Sequence, residues 1–444
     1  MTSLMDWGRR VTVSVRALTH STESAAHRRG VAPFLPRLFV DRFTHLGGIP
    51  DAEFRRQLSE CRSFDDDRWA PYWSTFADRY LARADEALSR LGAPESARLL
   101  DAPDPSALTA LGEALAPAAT IFADRGTVAD PEAPARFVAA HPEAADAVVA
   151  MDGLIKAVVY DFVAAWPGGS PQRQRAYRRS SRLSETLLQA MAPTMGYDVE
   201  VLDIVLPGTS DRVHGVLALP VGATNMPTVL VTNGLEGTIA ETLFPLLAQR
   251  EAGLATFVME MPGTYSYSDH MTVAAENVYS SVIDFLAADE RIDAERLGIM
   301  GFSFGGYWAA RMAAVDPRLK AAVSNGPLTH RSFGVVNSIG MPEVMLSTLS
   351  RTLGATSTAG LLRKVSKLSL RQLYRDIGIP LLVINGARDT LASTRDSIDL
   401  AVAAPNAQLV LYADDDHCAM GNAEHWSLLS TRFLREHLLA PSTK

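Results

Sequence analysis

The sequence predicts an α/β protein in which an all-helical N-terminal half precedes an eight-stranded, mostly parallel sheet covered by helices. Three observations carry that prediction. From about Pro50 to Pro193 the chain is Ala-rich with a helical spacing of apolar residues. After Gly196 the period changes, and short β-branched runs alternate with helix-length segments. The chain of 444 residues is also too long for one ordinary domain. The join falls near Tyr197, which divides the chain into a helical unit over 1–196 and an α/β unit over 197–444.

In the first unit, Pro103-Asp104-Pro105 and Pro167-Gly168-Gly169-Ser170-Pro171 punctuate the helices. The clearest helix runs from about Asp66 to Leu91, where Trp69, Trp73, Phe76, Tyr80 and Ala84 share one face and form a core stripe. Arg173, Arg175, Arg178, Arg179 and Arg182 follow near the join. Such a run is read first as a solvated helix face; recognition of a coenzyme A or phosphopantetheine phosphate is the alternative.

In the second unit the strand-like runs are Val199 to Leu206, Val213 to Leu219, Thr228 to Thr232, Ala255 to Glu260, Arg296 to Gly301, Lys320 to Ser324, Pro380 to Asn385 and Gln408 to Tyr412. The first two are separated by Pro207 to Arg212, short enough for a hairpin; the later gaps accommodate crossover helices. Between about 327 and 376 the alternation pauses. Two helical stretches, Glu343 to Leu353 and Ala359 to Leu368, are read there as an insertion over the carboxyl edge of the sheet, where open α/β sheets bind ligands.

A formal charge of −8 argues against a protein that coats nucleic acid. Cys61 and Cys418 make no disulfide framework, and no paired Cys/His spacing indicates zinc. The opening residues carry Arg9 and Arg10 without the apolar run of a signal peptide, and no stretch has the roughly 18–20 apolar residues of a membrane span. A cytoplasmic enzyme, not associated with a membrane, is the expectation.

The strongest chemical signal is the succession Arg296-Leu-Gly-Ile-Met-Gly301-Phe302-Ser303-Phe304-Gly305-Gly306, in which a buried strand, a Gly-x-Ser-x-Gly turn and an Ala-rich helix follow without a break. Gly301 and Gly305 lack the Cβ atoms that would clash in so sharp a turn, so Ser303 projects from it. This succession resembles the nucleophile elbow of the α/β-hydrolase fold. In that fold the chain order is Ser, acid, His. A serine hydroxyl is a weak nucleophile without a base. Three histidines, His330, His417 and His425, are read as following Ser303 and preceding the final helix. His417, in the loop Asp-Asp-Asp-His417-Cys418 after the last strand, is best placed to serve. Asp389, just beyond the penultimate strand, is the expected acid; Asp414, Asp415 and Asp416 are rivals by proximity and are read as a solvated acidic turn.

A tetrahedral oxyanion needs two backbone donors. Phe304, directly after the nucleophile, supplies one, and Leu235 in the loop Thr232-Asn233-Gly234-Leu235-Glu236-Gly237-Thr238 supplies the other. Gly234, Glu236, Tyr265, Tyr267 and His330 are the expected pocket residues. Neither metal nor organic cofactor is implied by any ligand cluster or dinucleotide fingerprint.

These residues resemble a branch of the α/β-hydrolases with a helical N-terminal cap, which contains fermentation-respiration-switch-type esterases, 2,6-dihydroxypseudooxynicotine hydrolase and fungal polyketide-shortening hydrolases. The resemblance covers about Pro50 to the C-terminus. Its marks are the Trp69 to Gly92 helix, Asn233-Gly-Leu-Glu-Gly-Thr238, Met261-Pro-Gly263, the Ser303 elbow and Asp-His417-Cys418. It implies Ser303 as nucleophile, Asp389 and His417 as partners, and Phe304 and Leu235 as amide donors. Helical caps of this layout also imply a homodimer as one assembly. The chain departs from the branch at Asn233-Gly-Leu-Glu, where relatives tend to show Gly-Gly-Phe-Asp, and at Met261-Pro-Gly263-Thr, which lacks the usual Gly-Pro-Gly-Gln-Gly.

The expected function is therefore cleavage of an acyl bond in a small organic substrate through an acyl-enzyme, with a carboxylic ester the first choice and a polyketide-derived compound one candidate. An enolate leaving group would make the same chemistry a retro-Claisen C–C cleavage. Transfer of the acyl group to a second substrate and a regulatory binding protein on a hydrolase scaffold are the other readings.

Overall fold

The computed structural model describes residues 4–101, 104–123, 125–242, 252–334 and 340–439. Its N-terminal region is helical. Three long helices, Asp66–Arg90, Ala145–Ala165 and Pro171–Met191, form its centre. The aromatic stripe turns inward: Trp69 and Trp73 are fully buried, Phe76 and Tyr80 partly so. Trp69 stacks with Phe64 and meets Trp73 and Trp166 at 5.6 and 5.8 Å, and its indole N–H donates to the Val163 carbonyl. Large rings concentrate apolar burial, and the indole's polar end finds a partner. Helices also precede Pro50, at Leu4–Leu18, Thr22–Arg29 and Phe39–Gly47, where the sequence reading placed no individual helix. The last of these enters the candidate site.

The arginine-rich helix departs from both readings of its charges. Arg173 is buried and binds Asp66 and the carbonyls of Trp166 and Phe64, while Arg179 pairs with Asp78 and Asp161. Arg175, Arg178 and Arg182 alone are exposed. The stretch is neither a uniform solvated face nor an assembled phosphate cradle.

Eight strands form one sheet: β1 Tyr197–Val205, β2 Arg212–Pro220, β3 Met226–Thr232, β4 Ala255–Met259, β5 Ile292–Phe302, β6 Leu319–Asn325, β7 Leu381–Gly386 and β8 Ala407–Tyr412, in the order β1-β2-β4-β3-β5-β6-β7-β8. β2 pairs antiparallel with β1 and β4, and the remaining neighbours are parallel. This is the α/β-hydrolase fold. The inner parallel strands β3, β4, β6 and β7 are almost wholly buried because helices cover them. Strand β5 begins four residues earlier than its apolar run suggests. Of its leading residues, Asp293, Glu295 and Arg296 are polar and none of 293–296 is buried, and Met226 pairs with Ile292 across an irregular register.

Between β6 and β7 lie the helices Glu343–Thr352 and Thr358–Ser366; residues 335–339 of the segment read as an insertion lie outside the described residues. Among the described residues no helix is long and apolar enough to cross a membrane.

Candidate active site

Strand β5 delivers Ser303 into the helix Phe304–Val315 through a turn at which the serine adopts φ 56°, ψ −118°. That conformation is costly for a residue with a side chain and is held by its surroundings. The Ser303 amide donates to the Asn325 carbonyl of β6 at 2.7 Å. A Cβ at Gly301 would lie 2.0 Å from the Gly305 carbonyl oxygen, and one at Gly305 2.4 Å from that of Thr232. Both positions therefore require glycine.

The His417 loop reaches this turn from the end of β8. His417 Nε2 lies 2.8 Å from Ser303 Oγ, and Nδ1 lies 2.8 Å from Asp389 Oδ2. An ionised carboxylate only accepts, so Nδ1 carries the proton and Nε2 is left free to take the one from Ser303. Both the ring and the carboxylate are buried. Burial disfavours the charged ring, but the Asp389 carboxylate outweighs it and holds the His417 pKa well above its ordinary value.

Asp389 is itself fully held. Its Oδ1 accepts from the amides of Leu391 and Ala392 at 2.8 and 2.7 Å, and its Oδ2 also accepts from Asn385 Nδ2 at 2.9 Å. The other end of the Asn385 amide accepts from the Cys418 backbone N–H at 3.1 Å. One buried side chain at the tip of β7 thus orients both the acid and the histidine loop. Asp416, read as part of a solvated turn, instead accepts from the amides of Thr390 and His417 at 2.6 and 2.8 Å. It ties the two loops together from behind. Asp414 is exposed and faces Arg388.

The loop after β3 crosses in front of Ser303. A Cβ at Gly234 would lie 2.8 Å from Ser303 Cβ and 3.4 Å from its Oγ, so this backbone approaches as closely as it does only because residue 234 is glycine. Among the described residues, neither the Phe304 nor the Leu235 amide has a hydrogen-bond partner. The loop is braced on its far side by the carboxylate of Glu260 at the end of β4. It accepts from the amide of Ile239 at 3.3 Å, the hydroxyl of Ser266 at 3.2 Å and that of Tyr177 at 2.9 Å. Burial pushes the Glu260 pKa up to about 7.

Ser303 and His417 open on a mainly apolar chamber of about 130 Å³, which Gly234 and Glu236 also line. Tyr265 and Tyr267 do not line it. With Leu235 they line a second cavity on the other side of the loop, and the Tyr265 hydroxyl donates to the Glu236 carbonyl at 3.0 Å. His330 also stands apart: its ring meets the Ser369 hydroxyl at 2.8 Å, and its amide donates to the buried carboxylate of Asp396. His425 lies inside the terminal helix Ala423–Leu439, against the Tyr412 hydroxyl, rather than before it.

The sequence reading missed Arg42. This arginine projects from the helix Phe39–Gly47 into the chamber wall, where Nε and Nη2 donate to Glu241 at 2.5 and 2.6 Å and Nη1 reaches Glu236 at 3.4 Å. Burial works against its charge, yet the two carboxylates raise its pKa. The available signal was a lone arginine inside Phe-Val-Asp-Arg42-Phe, an otherwise apolar helix face. Elsewhere among the described residues Glu23, His27 and Asp65 come close enough to share a cation. Glu23 is already engaged there by the Ser63 hydroxyl and the Phe64 amide.

Known proteins resemble this chain in sequence and in fold. A family model described as esterase FrsA-like matches residues 139–410. The 2,6-dihydropseudooxynicotine hydrolase of Paenarthrobacter nicotinovorans is 27% identical over 247 residues, 52% of this chain and 63% of that protein. The esterase FrsA of Vibrio cholerae is 28% identical over 210 residues, 46% of this chain and 49% of its own. The chain thus spans about half to three fifths of these relatives. The crystal structure of the 2,6-dihydroxy-pseudo-oxynicotine hydrolase superposes with a TM-score of 0.63 at 20% identity, covering 91% of this chain and 95% of that one. At that identity the likeness shows a shared fold.

Proposed function

The chain belongs to the FrsA-like esterase family, and from that premise we propose that it is a serine hydrolase acting on a small acyl substrate, most simply a carboxylic ester. The observation that supports this reading best is the continuous hydrogen-bonded chain from Asp389 through His417 to Ser303, with both links at 2.8 Å. Ser303 Oγ attacks the acyl carbon while its proton passes to His417 Nε2. Two amides, those of Phe304 and Leu235, hold the oxyanion. As the tetrahedral intermediate collapses, the bond to the leaving group breaks and His417 returns the proton to it. Water then adds to the acyl-enzyme, gives a proton to His417 and releases the acid, and Ser303 regains its hydrogen.

On this reading the helical region, residues 1–196, is a cap on the unit 197–444. Leu38, Arg42 and Leu46 from that region line the chamber beside Ser303, which supports the assignment. The test is intact-protein mass after incubation with a fluorophosphonate, for the parent chain and Ser303→Ala, followed by turnover of a p-nitrophenyl ester panel and a 1,3-diketone. Labelling that disappears in the variant, together with ester turnover, is expected. Turnover of the diketone alone would move the reading to C–C cleavage, and a folded parent protein that resists labelling would overturn it.

A further inference from the structure

Directly after His417 the backbone turns left-handed twice without a glycine, with Cys418 at φ 58°, ψ 10° and Ala419 at φ 50°, ψ 46°. A side chain disfavours that region, so two such residues in succession persist only because their surroundings hold them. Three backbone contacts do so. The Cys418 amide donates to Asn385 Oδ1 at 3.1 Å, the Ala419 amide to the Asp416 carbonyl at 3.0 Å, and the Trp426 indole N–H to the Ala419 carbonyl at 2.9 Å. None of the three uses the side chain of residue 418, and glycine would adopt the same backbone there more readily.

The Cys418 side chain has a seat of its own. It is buried, and its thiol donates to the Asn325 carbonyl at the end of β6, Sγ to O 3.6 Å. The same carbonyl accepts the Ser303 amide at 2.7 Å. The next residue, Gly326, is left-handed at φ 63°, and the Ile384 carbonyl fixes its amide at 2.8 Å. A Cβ at Gly326 would collide with Cys418 Sγ and lie 3.2 Å from His417 Cε1. The end of β6 is thus one platform for two turns: Ser303 and Cys418 share an oxygen, and the imidazole packs over the glycine.

We propose that Cys418 is a positioning residue for His417: its thiol, seated on Asn325 and Gly326, holds the strained turn in the rotation that sets the ring between Ser303 and Asp389. The catalytic consequence rests on the hydrolase reading; the placement of the ring does not. A side chain kept at a left-handed position where glycine is easier serves the histidine at the expense of stability. Activity and stability therefore respond to its removal in opposite directions, which a packing role alone does not produce.

The experiment compares the whole chain with Cys418→Gly, Cys418→Ala and Cys418→Ser. Four quantities are measured: the thermal midpoint, the rate of fluorophosphonate labelling, kcat and KM for a p-nitrophenyl ester, and the titration of His417. The last is followed by NMR of histidine-labelled protein, with the resonance assigned through His417→Gln. In Cys418→Gly the midpoint should hold or rise, while labelling and kcat fall about ten- to a hundred-fold and KM changes less than about two-fold. The His417 pKa should drop by about one unit or more as the ring leaves Asp389. Cys418→Ala should show the same losses without the gain in midpoint, and Cys418→Ser, which keeps a donor, should recover part of them. Glycine and alanine variants that label, turn over and titrate like the parent overturn the proposal, whatever their midpoints. A fall in labelling with an unmoved His417 titration overturns it too, because the ring has then kept its place. If the parent neither labels nor turns over, a dropped titration in the variants leaves the positioning role standing and sinks the hydrolase reading alone; an unmoved one sinks both.

Discussion

The hydroxyl of Tyr177, on a helix of the N-terminal region, donates to the carboxylate of Glu260 at the end of β4, 2.9 Å away. Tyr177 also stacks on Tyr265, ring centroids 4.8 Å apart, and Tyr265 holds the carbonyl of Glu236. The helical region and the loop in front of Ser303 are therefore latched through one fully buried acid.

That latch makes stability depend on pH. Burial raises the Glu260 pKa from 4.5 to about 7, so between those values the folded chain binds a proton that the unfolded chain has lost. Stability then falls as pH rises from 4.5 to 7, by on the order of 3 kcal/mol from this group. Urea unfolding of Glu260→Gln should lack this slope. In Tyr177→Phe the ionised acid loses a donor, which costs about 1.5–3 kcal/mol, more at pH 8 than at pH 5; a penalty independent of pH would refute the assignment.

The proposed triad predicts a second pH dependence, of opposite sign. On the proposed mechanism only neutral His417 accepts the Ser303 proton, and Asp389 holds the ring's pKa well above its ordinary value against the effect of burial. Activity should therefore rise with pH along a limb displaced above the ordinary histidine range. Asp389→Asn removes the charge and presents an amide to Nδ1, so the limb should move down in pH and the plateau fall by about 10⁴-fold. A pH–rate profile of an ester reporter checks both.

Most of the sheet was legible because each strand is a short apolar run with a turn at its end, and the elbow because Gly301 and Gly305 leave no alternative at that turn. The residues that position the site were not. Asn385 looks like the end of a strand, and only the fold shows that its amide touches both Asp389 and the Cys418 backbone. Asp416 looks solvated in an acidic run, yet it joins the two loops behind His417. Tyr265, Tyr267 and His330 follow strands at the expected edge, but the chamber lies on the other side of the loop from the tyrosines and away from His330. Which side of a loop a cavity occupies is a tertiary fact with no local signal.

Gly234→Ala tests the loop itself. The new Cβ would sit 2.8 Å from Ser303 Cβ and 3.1 Å from the Phe302 carbonyl oxygen, so the loop must retreat and take the Leu235 amide with it. Loss of an oxyanion donor costs on the order of 10²–10³ in turnover. The rate of fluorophosphonate labelling should fall to match while the far-ultraviolet circular dichroism stays unchanged; an unaltered rate would show that this amide does not serve the site.

Arg42 joins the helical region to the loop by charge rather than by packing alone. Its guanidinium sits 5.4 and 5.3 Å from the rings of Phe43 and Phe162 and is bidentate to Glu241. In Arg42→Met the two carboxylates keep their burial and lose their counter-ion, which costs about 3–5 kcal/mol. Because the Glu241 side chain is 20% exposed, water relieves part of this and the lower figure is expected. Adding Glu241→Gln removes one of the stranded charges and should restore more than half of the loss, since a neutral pair of similar shape needs no counter-ion. Chemical denaturation of the two single variants and the double variant gives the coupling directly. If the losses simply add, Arg42 acts through its contacts with the rings, and the ion pair has no net role in holding the two regions together.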